Sequence, residues 1–198
     1  MERIVLASAS PRRREICDLL GLSYDVIPAT GEEDLDPSLP LDEAVTRVAR
    51  AKAEEVAARN PGRLVLGADT VVTVDGRRLG KPGDAREAAA MLRLLQGRWH
   101  RVITGVWVCS PQGNDGFVAG TDVAFYPMGE EEIAAYIATG EPMDKAGGYA
   151  IQGTGMRFIR EIRGDFYTVM GLPGAKLWHF LQKFCGQTLP KEPKTCRD

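Results

Sequence analysis

The chain has 198 residues, and its 25 lysines and arginines nearly balance its 27 aspartates and glutamates, leaving a formal net charge of −2. A chain so close to neutral lacks the charge of a general polyanion binder, which excludes nucleic acid as the expected partner. The 44 % hydrophobic and 26 % charged residues are typical of a globular protein, not of a disordered or fibrous one. No run approaches the ~20 apolar residues that cross a bilayer, and strand-like residues begin almost at the N-terminus, so we expect neither membrane insertion nor secretion.

Cysteine and histidine spacing limits the kind of metal site that the chain can form. There is no C-x-x-C pair, and the two histidines are far apart in sequence, which argues against a zinc cage. Any metal must then be held mostly by carboxylates, and buried cysteines are expected to act as small core residues. The residues concerned are Cys17, Cys109, Cys185, Cys196, His100 and His179.

The first elements in chain order are a buried strand over residues 3–7 and a helix that runs to Gly21. Ser10 followed by Pro11 predicts the start of this helix, because serine suits the cap and proline the first helical position. Ile16, Leu19 and Leu20 are predicted on its inner face. A strand at 24–27 and an acidic loop at 32–36 follow.

A second helix is predicted over residues 41–59, where apolar residues recur at helical spacing before Asn60-Pro61-Gly62. Lys52 falls on this apolar stripe, four residues after Val48, so its side chain is predicted to point toward the interior or a cleft wall. The next strand covers 64–68 and ends at Asp69.

The second half of the chain alternates between strands and helices. Asp75-Gly76 predicts a tight hairpin turn, and Asp84 predicts the cap of a third helix. Extended runs at 99–109 and 117–126 are expected to pair antiparallel, before a helix at 129–140, a glycine-rich loop at 140–155, a strand at 157–162 and a helix from Pro173. This pattern predicts one α/β domain with a mixed sheet over residues 1–185, followed by a polar tail over 186–198.

Ser8, Arg12 and Arg13 lie in a strand-to-helix turn that can hold phosphate, because backbone amides and positive charge meet at the start of a helix. Cations in the first helical turn oppose the helix dipole, which is unfavourable unless an anion is bound there. A solvated basic turn paired to nearby acids remains the alternative.

Glu32, Glu33 and Asp34 in the acidic loop, together with Asp69 at a strand end, form the candidate metal site. Magnesium takes oxygen ligands and commonly relies on one or two carboxylates plus substrate phosphates. The alternatives are an exposed acidic loop and, for Asp69, a turn or cap residue.

Three lysines are candidates for phosphate contact: Lys52, Lys81 and Lys145. Lys52 alternatively extends along the helix edge into solvent, and the other two are alternatively surface loop residues.

The ordered motifs of the chain resemble the Maf-like nucleotide pyrophosphatases from Ile4 to Phe184. The motifs are LASASPRR (6–13), GADTVV (67–72), LGKP (79–82), His100 with TGV (104–106), GEP (140–142) with DKAG (144–147), IQG (151–153) and GLP (171–173).

This resemblance implies metal-dependent hydrolysis of a nucleoside triphosphate between the α and β phosphates, with Mg²⁺ or Mn²⁺ as cofactor. It also implies an inosine-triphosphatase-like twisted sheet in a cytoplasmic homodimer, with links to division arrest and to removal of modified nucleotides. Ile151-Gln152-Gly153 matches the branch that prefers dTTP and UTP.

The resemblance further implies roles for individual residues. Asp69 matches the proton acceptor, and Arg12, Thr70 and Gln152 match positions tied to substrate choice. Further active-site positions are matched by Ser8, Arg13, Glu33, Lys52 and Lys81. Together with the charge pattern, this predicts that Arg12, Arg13, Lys52 and Lys81 hold phosphates and that Glu32 or Glu33 and Asp69 hold the metal and activate water. The amide of Gln152 is suited to reading a pyrimidine edge.

A non-catalytic nucleotide-binding regulator of cell division is the alternative function, since it would need the same phosphate-binding residues without the carboxylates. A phosphatase that releases inorganic phosphate is disfavoured, because the chain has no Asp-x-Asp-x-Thr motif.

Overall fold

The computed structural model describes residues 3–31 and 35–185, which form a mixed β-sheet with helices packed against it. In these ranges the sheet has seven strands. They are β1 (Ile4–Leu6), β2 (Tyr24–Val26), β3 (Val65–Val74), β4 (Arg77–Leu79), β5 (Trp99–Ser110), β6 (Gly113–Phe125) and β7 (Ile159–Arg163).

Helices connect most of these strands. They are α1 (Pro11–Leu19), α2 (Leu41–Ala58), α3 (Ala85–Leu95), α4 (Glu130–Ala138), α5 (Phe166–Met170) and α6 (Gly174–Cys185), with 3-10 helices at Glu141–Asp144, Ala146–Gly148 and Thr154–Phe158. None of the helices in the described ranges is long and apolar enough to cross a membrane.

The strand order is β2-β1-β3-β5-β6-β7, and β4 pairs with β3 beside this path. β1 runs parallel to both β2 and β3, in register Leu6 with Leu66, whereas β4 is antiparallel to β3 and β7 is antiparallel to β6. The predicted α/β fold with a mixed sheet is therefore confirmed.

The chain divides into two compact units. Among the described residues, the first contains 3–31, 35–69, 104–118 and 171–185, and the second contains 70–103 and 119–170. A core cluster in the first unit joins Val5 and Val65 to Ala53 and Val56 of α2. The second unit has a larger core that includes Leu92, Phe125, Tyr136 and Phe158. The predicted division at residues 185 and 186 stays a prediction, since residues 186–198 lie outside the described ranges.

Local sequence signals place most helix ends and turns correctly. The side chain of Asp84 caps α3 by accepting a hydrogen bond from the Glu87 amide. Asp75 and Gly76 both have positive φ, as the predicted tight turn between β3 and β4 requires. Ser10 lies at the start of α1, but its side chain makes no capping hydrogen bond. Its backbone amide instead donates to the Ser8 hydroxyl at 3.2 Å.

Several expectations differ from the structure. β6 begins at Gly113, before the predicted start at residue 117, and α1 ends at Leu19, before Gly21. The glycine-rich loop at 140–155 contains short 3-10 helices, and the strand predicted from Arg157 begins at Ile159, because Arg157 and Phe158 complete one of them. Leu19, expected on the inner face of α1, is 50 % exposed because the helix ends there, while Cys17 is fully buried.

Candidate active site

The turn between β1 and α1 holds Ser8 and Arg13 in a fixed arrangement. The Ser8 hydroxyl is 7 % exposed and accepts a hydrogen bond from the Arg13 guanidinium at 3.0 Å. Arg13 Nε also donates to the Gly171 carbonyl at 2.9 Å, so the residue that precedes Leu172-Pro173 helps to orient this guanidinium. Arg12 is half-buried in the same first turn of α1. This arrangement places two cations at the carboxyl end of β1, where phosphate is commonly bound.

A buried ion pair joins α2 to β3. Lys52 Nζ donates to Asp69 Oδ1 at 2.7 Å, and both residues are 8 % exposed. The predicted inward direction of Lys52 is thereby confirmed. In the described part of the chain, Lys52 is the partner of the Asp69 carboxylate, and it compensates the negative charge that the fold has buried.

The close approach of α2 to β3 depends on Gly67, two residues before Asp69. A Cβ at Gly67 would lie 2.4 Å from the Ala49 carbonyl oxygen and 2.9 Å from the Ala53 Cβ. Because only glycine fits there, the helix axis comes near enough to the strand for the Lys52 side chain to reach Asp69.

The register of the parallel strands also relates Ser8 to Asp69. Leu6 pairs with Leu66, and the Ala7 amide donates to the Leu66 carbonyl at 2.8 Å. Continuing this register by two residues places Ser8 level with Ala68, one residue before Asp69. β3 continues to Val74, so the prediction that Asp69 ends the strand is wrong, and Asp69 lies within β3. The strand register still places the turn between β1 and α1 at the level of this buried carboxylate.

The predicted metal ligands Glu32 and Glu33, with Asp34, lie outside the described residues. The chain just before them is held by Glu55 of α2, which accepts hydrogen bonds from the Thr30 amide at 3.0 Å, the Thr30 hydroxyl at 2.8 Å and the Gly31 amide at 3.0 Å. These backbone donors at Thr30 and Gly31 lower the pKa of Glu55. Glu55 lies three residues after Lys52, so α2 supports both the ion pair and the start of the acidic loop.

The chemistry of the donors fits a hard divalent cation. Within residues 3–31 and 35–185, no three metal-ligating side chains cluster together. Asp69 offers a carboxylate with one oxygen engaged by Lys52. Magnesium needs only one or two protein carboxylates when substrate phosphates and water complete its shell, so this donor set is compatible with it.

Thr70, Lys81 and the glycine-rich loop belong to the second unit. Thr70 follows Asp69 in β3 and is half-buried, and Lys81 is exposed just after β4. The Gly147 amide donates to the Gly80 carbonyl at 2.9 Å, and a Cβ at Gly147 would lie 3.0 Å from Val72. The loop around Gly147 is therefore packed against β3 close to Thr70 and joined to the segment that carries Lys81.

Gln152 and Lys145 occupy different environments within the glycine-rich segment. Gln152 and Gly153 are exposed, whereas Ile151 is buried. Lys145, considered for phosphate contact or for an open surface, is half-buried and donates to the Glu141 carbonyl at 2.8 Å while pairing with Asp144.

His100 is buried and contacts aromatic rings. Its Nε2 lies 2.8 Å from the Tyr149 hydroxyl, and its ring meets Phe125 edge-on at 4.8 Å. Burial lowers the pKa of His100 to about 4, although the charge of Asp122 opposes the shift. The imidazole is thus neutral at physiological pH.

A family model described as Maf-like protein matches residues 3–184 of this sequence. The chain belongs to the Maf family.

Curated relatives are identical to this chain at close to half of the aligned positions, over nearly its full length. A protein named dTTP/UTP pyrophosphatase from Bacillus pumilus is 46 % identical over 93 % of this chain and 97 % of the relative. Proteins of the same name from Bacillus velezensis and Bacillus cereus are 48 % and 45 % identical, covering 92 % and 93 % of this chain and 97 % and 96 % of the relatives. Among solved structures, that of protein VC0702 from Vibrio cholerae aligns over 66 % of each chain at 13 % identity with a TM-score of 0.36, a likeness too distant to bear on fold or function.

Sequence reasoning assigned no role to Glu141 and Glu55, whose carboxylates hold backbone amides next to candidate site residues. Glu141 lies inside the quoted GEP motif, yet its contacts to Thr154 and Gly155 link residues that are far apart in sequence. Glu55 looks like any exposed helical glutamate in the sequence. Its position one helical turn after the inward-pointing Lys52 was the feature of the sequence that could have drawn attention to Glu55.

Proposed function

We propose that this Maf protein is a nucleoside triphosphate pyrophosphatase that hydrolyses dTTP and UTP to the monophosphate and pyrophosphate. Relatives of that name at 45–48 % identity support the assignment. The structural observation that supports it is the buried Lys52–Asp69 pair at 2.7 Å, at the level of the turn between β1 and α1 in the strand register. A carboxylate held in this position serves hydrolysis, whereas nucleotide binding alone has no need of it.

In the proposed reaction, a water molecule attacks the α-phosphorus. Asp69 accepts the proton of that water as the new oxygen–phosphorus bond forms. The bond from the α-phosphorus to the bridging oxygen breaks, and pyrophosphate leaves with the electron pair. Lys52 holds the Asp69 carboxylate in one orientation throughout, which matters because phosphoryl transfer depends largely on positioning.

Positive side chains neutralise the triphosphate. We assign phosphate contacts to Arg12, Arg13 and Lys81, and a hydroxyl contact to Ser8. Arg13 is well suited because its contacts to Ser8 and Gly171 hold its planar guanidinium in place before substrate arrives.

A divalent cation, Mg²⁺ or Mn²⁺, would be held by Asp69 with Glu32 and Glu33. When bound, it neutralises phosphate charge and polarises the scissile group. Glu55 contributes by fixing residues 30 and 31 immediately before these glutamates.

Thr70 and Gln152 are assigned to substrate choice. The Gln152 amide has both a donor and an acceptor, the combination that a uracil or thymine edge presents in complementary form. Its exposure leaves this amide accessible to a ligand.

A nucleotide panel with product analysis tests the proposal. With Mg²⁺ or Mn²⁺, the protein should convert UTP and dTTP to monophosphate and pyrophosphate faster than CTP, ATP or GTP. Asp69→Asn should lower kcat by roughly 10²–10⁴-fold, the contribution of a positioned proton acceptor. Asp75→Asn, at the exposed turn that follows the same strand, is the matched control and should retain full activity.

Two outcomes would contradict the assignment. Unchanged turnover in a folded Asp69→Asn variant would remove Asp69 from the reaction. UTP binding without pyrophosphate release under any divalent metal would instead favour the non-catalytic regulator.

The expected homodimer and cytoplasmic location rest on the family resemblance, as do the links to division arrest and to modified nucleotides. Light scattering on the purified chain tests the first of these, since a homodimer has twice the chain mass of 21.6 kDa.

A further inference from the structure

The segment 150–155, which carries Gln152, has little intrinsic stiffness. It contains two glycines, and Gly153 adopts a φ of +110°, a conformation that other residues rarely reach. Gln152 itself is exposed. The backbone on either side of Gln152 is therefore one determinant of where its amide points.

Glu141 holds the backbone that follows Gln152. One oxygen of its carboxylate, Oε2, accepts from the Thr154 amide at 2.9 Å, and the other, Oε1, accepts from the Gly155 amide at 2.9 Å. Burial raises the pKa of Glu141, but these backbone donors and the Tyr136 hydroxyl outweigh it, so the net pKa is lowered. The carboxylate is consequently charged at neutral pH and accepts both amides strongly.

Tyr136 of α4 holds the backbone that precedes Gln152. Its side chain is fully buried and packs edge-on against Phe158 at 5.1 Å. Its hydroxyl accepts from the Ala150 amide at 3.0 Å and donates to Glu141 Oε1 at 2.8 Å. The two side chains and three amides form one connected network around the segment.

The glycines of the segment lie directly against the two clamping side chains. A Cβ at Gly153 would lie 2.7 Å from Glu141 Oε2, and a Cβ at Gly155 would lie 2.6 Å from the Tyr136 hydroxyl oxygen. Both glycines thus allow direct contact between the segment and the two clamping side chains.

We propose that Glu141 and Tyr136 are positioning residues that set nucleotide selectivity by fixing the loop from which Gln152 reads the base. The inference rests on the proposed function, in which Gln152 contacts the base. Neither clamping residue reaches the reacting phosphate in this account, so the clamp should affect base discrimination and not the hydrolytic step.

Glu141→Gln tests the clamp with little change in size. The amide can accept only through its oxygen, so its NH₂ group would oppose one of the backbone N–H groups. We expect the ratio of kcat/KM for UTP over CTP to fall about tenfold, equivalent to ~1.4 kcal/mol, mainly through a higher KM for UTP. Turnover at saturating UTP should stay within about twofold of the parent protein. Tyr136→Phe, which keeps the packing against Phe158, should lower the same ratio.

The double variant Glu141→Gln/Gln152→Ala separates positioning from general destabilisation. If Glu141 acts through Gln152, adding Glu141→Gln to Gln152→Ala should change the UTP/CTP ratio no further. Glu131→Gln, an exposed glutamate on α4, is the matched control and should leave the ratio unchanged.

Affinities for non-hydrolysable α,β-methylene analogues of UTP and CTP keep the test independent of turnover. If the parent protein prefers the UTP analogue but releases no pyrophosphate, the proposed function fails while loss of preference in Glu141→Gln still supports the clamp. The clamp is overturned if both variants keep the parent's selectivity, or if kcat/KM falls equally for every nucleotide. A parent protein that binds neither analogue also overturns it.

Discussion

The Lys52–Asp69 pair buries two opposite charges where apolar side chains of similar volume could fill the same space. Burying an ion pair is weak support for stability, because the desolvation penalty offsets most of the attraction. Both residues are 8 % exposed, so each charge depends on the other for compensation. This points to a role in chemistry more than in folding.

Removing only Lys52 should therefore be more harmful than removing both charges. Lys52→Met leaves the Asp69 carboxylate buried and uncompensated, and should lower the free energy of unfolding by about 3–5 kcal/mol. Lys52→Met/Asp69→Asn should recover more than half of that loss while remaining inactive. Chemical denaturation and a pyrophosphate assay measure the two properties, and a Lys52→Met variant of parental stability would refute this account.

His100 links stability to pH. The unfolded chain protonates this imidazole near the ordinary value of 6.5, whereas burial lowers the folded-state pKa to about 4. The unfolded state therefore binds more protons between these values, so the free energy of unfolding falls as the pH falls. From pH 6.5 to pH 5.5 this loss should be about 1 kcal/mol.

His100→Gln should remove this dependence, because glutamine does not titrate. Denaturation curves at pH 7.5, 6.5 and 5.5 should show a flatter profile for the variant, whatever its absolute stability. An equal slope in the two proteins would mean that another group is responsible.

At the scale of elements, α2 organises the first unit. It packs against glycines of two strands, since a Cβ at Gly67 or Gly105 would lie 2.4 or 2.8 Å from a carbonyl oxygen of the helix. The same helix carries Lys52 and Glu55. Its distance from β3 therefore determines the ion pair and the anchoring of residues 30 and 31.

Gly67→Ala should separate this helix from the strand. The added methyl group meets backbone, which cannot rotate away, so a loss of about 1–3 kcal/mol in unfolding free energy is expected together with reduced turnover. Gly80→Ala is the control for stability, because its Cβ would meet nothing within 4 Å. Equal effects of the two substitutions would argue against close packing at Gly67.

Elements with strong local signals could be predicted from the sequence. The helical spacing of apolar residues in α2 predicted that Lys52 is buried. Asp84 predicted a helix cap and Asp75-Gly76 predicted a turn, because these residue types favour such backbone conformations. The 3-10 helix at Thr154–Phe158 could not be predicted in this way. Its first amides are satisfied by Glu141, 13 residues before Thr154, and no local pattern encodes such a contact.

In the candidate site, too, locally encoded features could be predicted and contacts between residues distant in sequence could not. The inward direction of Lys52 followed from helical periodicity, and the structure joins it directly to Asp69. The predicted strand end at Asp69 was wrong, because β3 continues to Val74 through residues that pair with β4. The contact of Arg13 with the Gly171 carbonyl spans 158 residues of sequence and depends on tertiary packing alone.

At the scale of the whole molecule, a net charge of −2 conceals separated local charges. The arginines at the start of α1 interact unfavourably with the helix dipole, and a bound anion would offset this cost. Ligand binding should consequently stabilise the fold.

The α,β-methylene analogue of UTP with Mg²⁺ should raise the free energy of unfolding by about 2.7 kcal/mol at roughly 100 times its Kd. Arg13→Ala should lose most of this stabilisation at the same concentration, since it removes an oriented cation. Arg14→Ala, an exposed arginine of the same helix, should keep it. Thermal unfolding with and without the analogue distinguishes the two, and equal stabilisation of both variants would place the phosphates elsewhere.

The buried thiol of Cys17 offers a way to measure how often α1 opens. Burial, reinforced by neighbouring Asp18, raises the pKa of Cys17 to about 12, so the native protein presents almost no reactive thiolate at this position. Iodoacetamide can reach it only when the helix opens, and the labelling rate measured by site-resolved mass spectrometry follows the population of the open form when reclosing is faster than alkylation. A nucleotide held by Arg12 and Arg13 should slow that labelling, giving a measure of occupancy that needs no enzymatic turnover.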